Sequence, residues 1–195
     1  MRADEMIINP YNNGYIEMSG HVRGDSFAAS TIYNNSDSTV YIPNLAGDTN
    51  PSAMQIPLTQ AFSSTDGAAD AILCGSSYKN GIYISKTGHY EISGKLSGTT
   101  DDNNWLTVRH GIVVHLVYFQ NSTLPTTWTN VYRISSDIIY PTTETSFSLY
   151  LPPKLRSISS GSYIYLLARY SGNSVSSVRV DKNIYSTYVT VRRVD

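Results

Sequence analysis

The sequence predicts an all-β sandwich. Three observations carry that expectation. From residue 81 to residue 194 the chain is a series of short segments rich in Tyr, Val, Ile and Leu, each bounded by Gly, Pro, Ser or Asn, the pattern of strands separated by turns. No stretch of useful length carries the 3.6-residue apolar repeat of a helix. Several segments are apolar at both odd and even positions. Such strands want cover on both faces, more than two packed sheets supply, and the surplus predicts an oligomer.

Residues 1–51 differ from the rest. They are rich in Asn, Gly, Asp and Ser, with isolated apolar positions such as Tyr11, Tyr15, Ile16, Phe27, Ile32, Tyr33, Val40, Tyr41 and Ile42. Asn12-Asn13-Gly14 marks a turn between short extended pieces, and 44–51 (NLAGDTNP) is a loop. The apolar content is too sparse for a separate core. The expectation is an extended N-terminal arm or small hairpin over 1–51, followed by a head domain over 52–195. In the head, 53–62 (AMQIPLTQAF) is a candidate first strand, with Pro57 placing it at an edge or a bend. Residues 69–74 and 82–85 are short strands about a turn at 75–81.

Residues 89–97 alternate cleanly. Tyr90, Ile92 and Leu96 share one side, and Glu91, Ser93, Lys95 and Ser97 the other, so one face meets the core and one meets water. The polar loop 98–104 follows. In 112–119 both faces are apolar: Ile112, Val114, Leu116 and Tyr118 on one side, Val113, His115, Val117 and Phe119 on the other. A long loop with Pro125 and Trp128 leads to 131–140, which alternates imperfectly. Phe147, Leu149 and Leu151 alternate with Ser146, Ser148 and Tyr150 until Pro152-Pro153 is expected to stop the strand. Residues 162–170 again have two apolar faces, Tyr163, Tyr165 and Leu167 against Ile164, Leu166 and Ala168. In the last strand Val189 and Val191 oppose Tyr188 and Thr190.

Composition narrows the function classes. A length of 195 residues suits one sandwich with a modest extra segment. Charged residues make up 15%, below the usual quarter, and Tyr (16) far outnumbers Phe (4), so the surface relies on hydroxyls and amides. The net charge is −1 and no basic run exceeds two residues, which argues against a nucleic-acid partner. The single cysteine, Cys74, forms no intrachain disulfide and follows Ala71-Ile72-Leu73, so it is expected as a small buried hydrophobe. The N-terminal stretch lacks the basic-then-apolar pattern of a signal peptide. No apolar run approaches the roughly 18 residues of a membrane helix, so no membrane partner is expected.

Catalytic signals are thin. There is no G-x-S-x-G, and the histidines are His21, His89, His110 and His115. His110 and His115 are five apart, so on one strand they point to opposite faces and share no metal; His115 is expected as a hydrogen-bonded histidine of the core or of an oligomer axis. Residues 88–95 (GHYEISGK) miss the phosphate-loop spacing by one. Asp101-Asp102-Asn103-Asn104 offers oxygen ligands that would suit calcium, though an ordinary solvated loop is the better account of them. Asp137 and Glu144 are carboxylates that nothing in the sequence brings together for glycoside hydrolysis. Arg23-Gly24-Asp25 spells an integrin tripeptide in a polar segment. Trp105 and Trp128 border polar loops, where they either stack against sugar faces or cap the core. The expectation is a non-enzyme without a cofactor.

Four pieces resemble the tumour necrosis factor-like jelly roll, shared with complement globular heads and many phage fibre tips. Thr87-Gly88-His89-Tyr90-Glu91-Ile92-Ser93-Gly94 is similar to the family's G-x-Y-x-(aromatic/apolar)-S strand, and 111–119 to the apolar central strand after it. Ser160-Gly161-Ser162-Tyr163-Ile164-Tyr165-Leu166 resembles its G-D-x-(apolar)-x-L strand, with Ser162 in place of Asp, and 186–191 its closing strand without the usual Phe-Gly. The resemblance spans 53–194. It implies an antiparallel jelly-roll sandwich and a homotrimer with one sheet of each protomer packed about a threefold axis. The candidate interface residues are Tyr163, Tyr165, Leu167, Tyr188, Val113, His115 and Val117.

Together these readings give an expectation of a virion structural protein made in a host cytoplasm: a trimeric head fibre or capsid decoration of a bacteriophage. Its arm would hold a capsid or fibre protein, and its head would take part in host attachment. The alternative is a carbohydrate-binding receptor-recognition tip, with a host-surface glycan as partner and Trp105 and Trp128 as its contacts.

Overall fold

The alternating segments pair into two antiparallel sheets that close over one core. The computed structural model describes residues 6–8, 16–18, 29–35, 40–44, 50–64, 71–100, 111–120, 123–140, 146–170, 178–181 and 186–194. Near the N-terminus β1 (Met6–Ile8) and β2 (Ile16–Met18) form a two-stranded ladder with Met6 opposite Met18. The Asn12-Asn13-Gly14 turn expected between them lies outside the described residues.

The second sheet draws on both ends of the chain. Its strands are β3 (Ala29–Tyr33), β4 (Val40–Ile42), β6 (Gln60–Ser64), β9 (Gly88–Thr100), β12 (Ser146–Ile158), β14 (Val178–Val180) and β15 (Tyr188–Arg193). The first sheet holds β5 (Gln55–Ile56), β7 (Ile72–Gly75), β8 (Gly81–Ile84), β10 (Ile112–Phe119), β11 (Tyr132–Ile139) and β13 (Ser162–Tyr170). The spatial order in the first sheet is β11-β10-β13-β8-β7, with β5 continuing the edge of β13 that β8 leaves at Ile164. In the second sheet, β9 pairs with β12 along one edge. Its other edge is shared, β15 taking residues 90–95 and β14 residues 98–100. Beyond β15 lie β3 and β6, and beyond β14 lies β4.

Period-two alternation fills the space between the sheets. Tyr90, Ile92 and Leu96 of β9, Phe147, Leu149 and Leu151 of β12, and Val189 and Val191 of β15 face Ile112, Val114 and Leu116 of β10 and Ile164, Leu166 and Ala168 of β13 in one cluster. Each such side chain leaving water contributes about 1.5–3 kcal/mol before entropy is charged against it. The split of β9 expected from its alternation is the observed one except at Ser97, which is buried and hydrogen-bonded to Thr187 rather than open to water.

Two expectations need correction. The arm does not extend to residue 51. Ile32 and Ile42 lie in the core, and β3 pairs with both β15 and β6. Residues 29–35 and 40–44 therefore belong to the sandwich: Ser30, Ile32 and Asn34 turn inward and are buried while Thr31 and Tyr33 turn outward, and Ile42 is buried. Pro152-Pro153 also does not stop its strand. β12 runs through to Ile158, with the register slipping between Leu151 and Lys154. Among the described residues β12 pairs only with β9 within its sheet, so a bulge on that edge absorbs two residues that lack an N–H.

Candidate functional site

The outer face of the first sheet carries most of the apolar surplus, and the chain covers it with its own segments. A 3-10 turn (Pro51–Met54) and the loop after β10 lay Met54, Leu124, Trp128 and Val131 over Val117, Phe119, Tyr163, Tyr165 and Leu167. Across the ladder Val117 sits opposite Tyr165, His115 opposite Leu167 and Phe119 opposite Tyr163. Tyr165 lies flat over Gly81, where a Cβ would come within 2.5 Å of its ring. The rings continue as a series: Tyr78 stacks on Tyr83 at 5.4 Å, Tyr83 meets Tyr163 tilted by 52° at 5.0 Å, Tyr163 stacks on Tyr165 at 6.2 Å, and Tyr165 on Phe119 at 5.6 Å. Desolvation raises the Tyr163 hydroxyl pKa above its ordinary value, with Tyr83 and Tyr78 adding to it. Desolvation, then Tyr163, does the same to Tyr165.

This arrangement corrects the expected interface. Tyr165 is 1%, Leu167 0%, Val117 0% and His115 2% exposed within the single protomer. Val113 is buried too, so these side chains have almost no surface to give a second copy. Tyr163 is half-buried in the ring series, and Tyr188 lies on the other sheet altogether. Two-sided burial was read correctly, but intramolecular loops rather than a partner supply the cover. The clue was in the loops for Leu124 and Trp128, which stand singly among polar residues with no periodicity to mark them, while Met54, expected in a strand over 53–62, ends a 3-10 turn instead.

His115 is held by hydrogen bonding, as expected of a core histidine. Its Nδ1 lies 2.7 Å from the Ser136 hydroxyl, and its ring meets the edge of Trp128 at 5.2 Å and 75°. The Arg133 guanidinium sits 4.6 Å from the centre of the Trp128 ring, a cation–π contact. One face of Trp128 is therefore occupied from within, and its indole Nε1 is buried without a hydrogen-bond partner. That removes Trp128 as an open stacking platform for sugars. Trp105, Asp101-Asp102-Asn103-Asn104, Arg23-Gly24-Asp25, His21, His110 and Glu144 lie outside the described residues. Cys74 is half-buried against the core rather than fully enclosed, and burial raises its thiol pKa. Among the described residues no group of three or more His, Cys, Asp or Glu is placed to hold a metal ion.

Beside Trp128 an open cleft of ≈ 410 Å³ lies where β10 ends and β11 begins, lined by Phe119, Gln120, Thr123, Pro125, Thr129, Asn130 and Tyr132. Tyr132 is 54% exposed and stacks on Tyr118 at 5.2 Å and 24°. Asn130 holds a left-handed backbone, φ 62°, which Asn tolerates in a tight turn.

The outer face of the second sheet is open and polar. One transverse row runs Tyr150, Lys95, Tyr188, Tyr33 across β12, β9, β15 and β3. The next row brings Ser93, Thr190 and Thr31 together, with the two threonine hydroxyls 3.2 Å apart. Beyond it come Leu155, Glu91 and Arg192, and the Arg192–Glu91 pair is 3.9 Å apart and well exposed. On the other side of the tyrosine row Ser97 donates to the Ser148 hydroxyl at 3.0 Å. Tyr41 (60%), Leu155 (56%) and Tyr150 (50%) are large side chains open to solvent on this face.

No family model matches the sequence, and no curated protein does. Solved structures do match the fold. Eiger TNF from S. frugiperda superposes with a TM-score of 0.53 at 8% identity, over 87% of this chain and 94% of that one. Murine APRIL at pH 8.0 superposes with a TM-score of 0.56 at 8% identity, over 86% and 98%. At such identity the likeness speaks for the backbone alone. Two antiparallel sheets closed over one core, in an arrangement shared along almost the whole of those chains, give this protein the tumour necrosis factor-like jelly-roll fold.

Proposed function

We propose that the protein is a non-enzymatic, homotrimeric structural subunit of a virion, a head fibre or capsid decoration. Its second sheet faces the threefold axis, and residues 1–28 serve as the anchor. The observation that carries this reading is the difference in cover between the sheets. The first is roofed by its own turn and loop, while on the second, among the described residues, Tyr150 is exposed and Lys95, Tyr188 and Tyr33 in the same row are partly exposed. Tyrosines are favoured at interfaces because they combine a large apolar body with a polar tip. The fold's association about a threefold axis, implied by the sequence resemblance, supplies a geometry in which that row meets its copies.

Size exclusion with light scattering tests the assembly. The full chain should elute at about three protomer masses. The double variant Tyr150→Asp, Tyr188→Asp should elute as a monomer with an unchanged β-sheet circular dichroism spectrum. A monomeric parent, or a double variant that stays trimeric, removes the reading. Removal of residues 1–28 should leave the trimer intact and abolish its attachment to particles. A truncated trimer that still decorates them would show the anchor to be elsewhere.

A second reading is adhesion to a carbohydrate receptor. The observation that favours it is the cleft at Tyr132, not the tryptophans singled out in the sequence.

A further inference from the structure

We infer that the cleft between β10 and β11 is a binding site for a neutral saccharide, with Tyr132 as its stacking platform. The inference rests on the adhesion reading and gives it a place and a ligand class. It does not depend on the trimer.

The lining is the argument. Phe119, Pro125 and Tyr132 give the cleft apolar surface, and Gln120, Thr123, Thr129 and Asn130 give it amides and hydroxyls. None of the lining side chains is ionisable except the tyrosine phenol. A pyranose presents the same combination: C–H groups on one face that suit an aromatic ring, and hydroxyls around its rim that both donate and accept. Amide and hydroxyl side chains also donate and accept, so they can answer each rim hydroxyl without a charge to desolvate. A charged ligand would find no opposite charge in this lining.

The site is also prearranged. Tyr132 stacks on Tyr118 through one face, yet stays more than half exposed, so its orientation is set before a ligand arrives. The left-handed turn at Asn130 and the Trp128 backbone carbonyl, which accepts from the Val131 N–H at 3.2 Å, fix the loop opposite. Gln120, Thr123, Thr129 and Asn130 are exposed, and their side chains form no hydrogen bond with the other described residues. Among the described residues, these polar groups are not spent on the fold. The volume, ≈ 410 Å³, falls in the range of small-molecule sites.

Saturation-transfer difference NMR on the full chain tests this, with the methyl glycosides of glucose, galactose, mannose, N-acetylglucosamine and N-acetylgalactosamine as probes. At least one should receive saturation on the C–H protons of one ring face. Tyr132→Ala should weaken that sugar about tenfold, the order expected for losing one aromatic contact. Tyr132→Phe should keep it, since the ring and its stacking on Tyr118 survive. Gln120→Ala, at an exposed position outside the strands, should weaken binding with no change in melting temperature, which separates contact from folding. Saturation that is undiminished in both Tyr132→Ala and Gln120→Ala would overturn this site and leave adhesion standing through another surface. Silence from every glycoside, with a blank glycan array for the same protein, would overturn both.

Discussion

On the first sheet Tyr165 and Leu167 lie beneath the turn of Met54 and the loop of Leu124 and Trp128; on the second, Tyr150 and Leu155 stand in the open. Both faces carry tyrosines, so residue type does not separate them. What separates them is the residues between. On β10 and β13 the positions flanking Tyr165 and Val117 are apolar as well, and both sides of the strand need burial. On β9 and β15 every outward position is His, Ser, Thr, Tyr or charged, so water suffices for the protomer. A sheet with two apolar faces thus recruits the nearest connections as a third layer, and a polar outer face leaves the choice of partner open.

The largest effect expected from this contrast is a pair of tyrosine truncations. Tyr165→Ala removes a ring packed between Gly81, Phe119 and Tyr163 and should cost about 3–5 kcal/mol in urea unfolding. Tyr188→Ala, measured in protein dilute enough to be monomeric, should cost about 1 kcal/mol or less. Equal costs would mean that the two faces are not differently covered. An intermediate effect should appear at alkaline pH. The hydroxyls of Tyr163 and Tyr165 are raised in the folded protein, so the unfolded chain ionises first. The stability they contribute is complete below the unfolded value of about 10. It is lost as pH climbs from there toward the folded values. Tyr165→Phe should flatten that decline, and an unaltered slope would place the alkaline sensitivity elsewhere. The smallest effect belongs to the open face. Glu91→Gln, which removes the exposed partner of Arg192, should, in the same dilute monomer, change stability by no more than about 0.5 kcal/mol, and a larger loss would show that this face is not solvated in the protomer.

The strands of the core were legible because each repeats a simple period. Residues 89–97 declare one wet face, and 112–119 and 162–170 declare two dry ones. What covers the dry ones was not legible, since Leu124 and Trp128 are single apolar residues whose meaning comes only from the strand they land on, and Met54 sits in a stretch that reads as a strand. β3 was missed for a related reason: Ile32 and its inward neighbours Ser30 and Asn34 make a strand that is small and polar on its buried side, with no apolar run to mark it. β12 was shortened because a Pro-Pro pair usually ends a strand, and only the sheet order shows that the pair lies on a free edge. For the candidate site, the sequence drew attention to the loop after β10 but to its largest aromatic, Trp128, which is engaged by Arg133 and His115. The exposed ring is Tyr132, the first residue of the following strand.

β15 lies between β9 and β3, and its Thr190 touches Thr31 across 159 positions of sequence. Until that late segment arrives during synthesis, β3 lacks its partner on one side and the first half of β9 lacks one too. Two strand edges then stay unpaired through much of the chain's production, each a template for a neighbouring nascent chain. Contacts this distant in sequence also fold slowly. A fusion or truncation that disturbs residues 188–193 should therefore show itself first as insoluble product at high expression, before any loss of function can be measured.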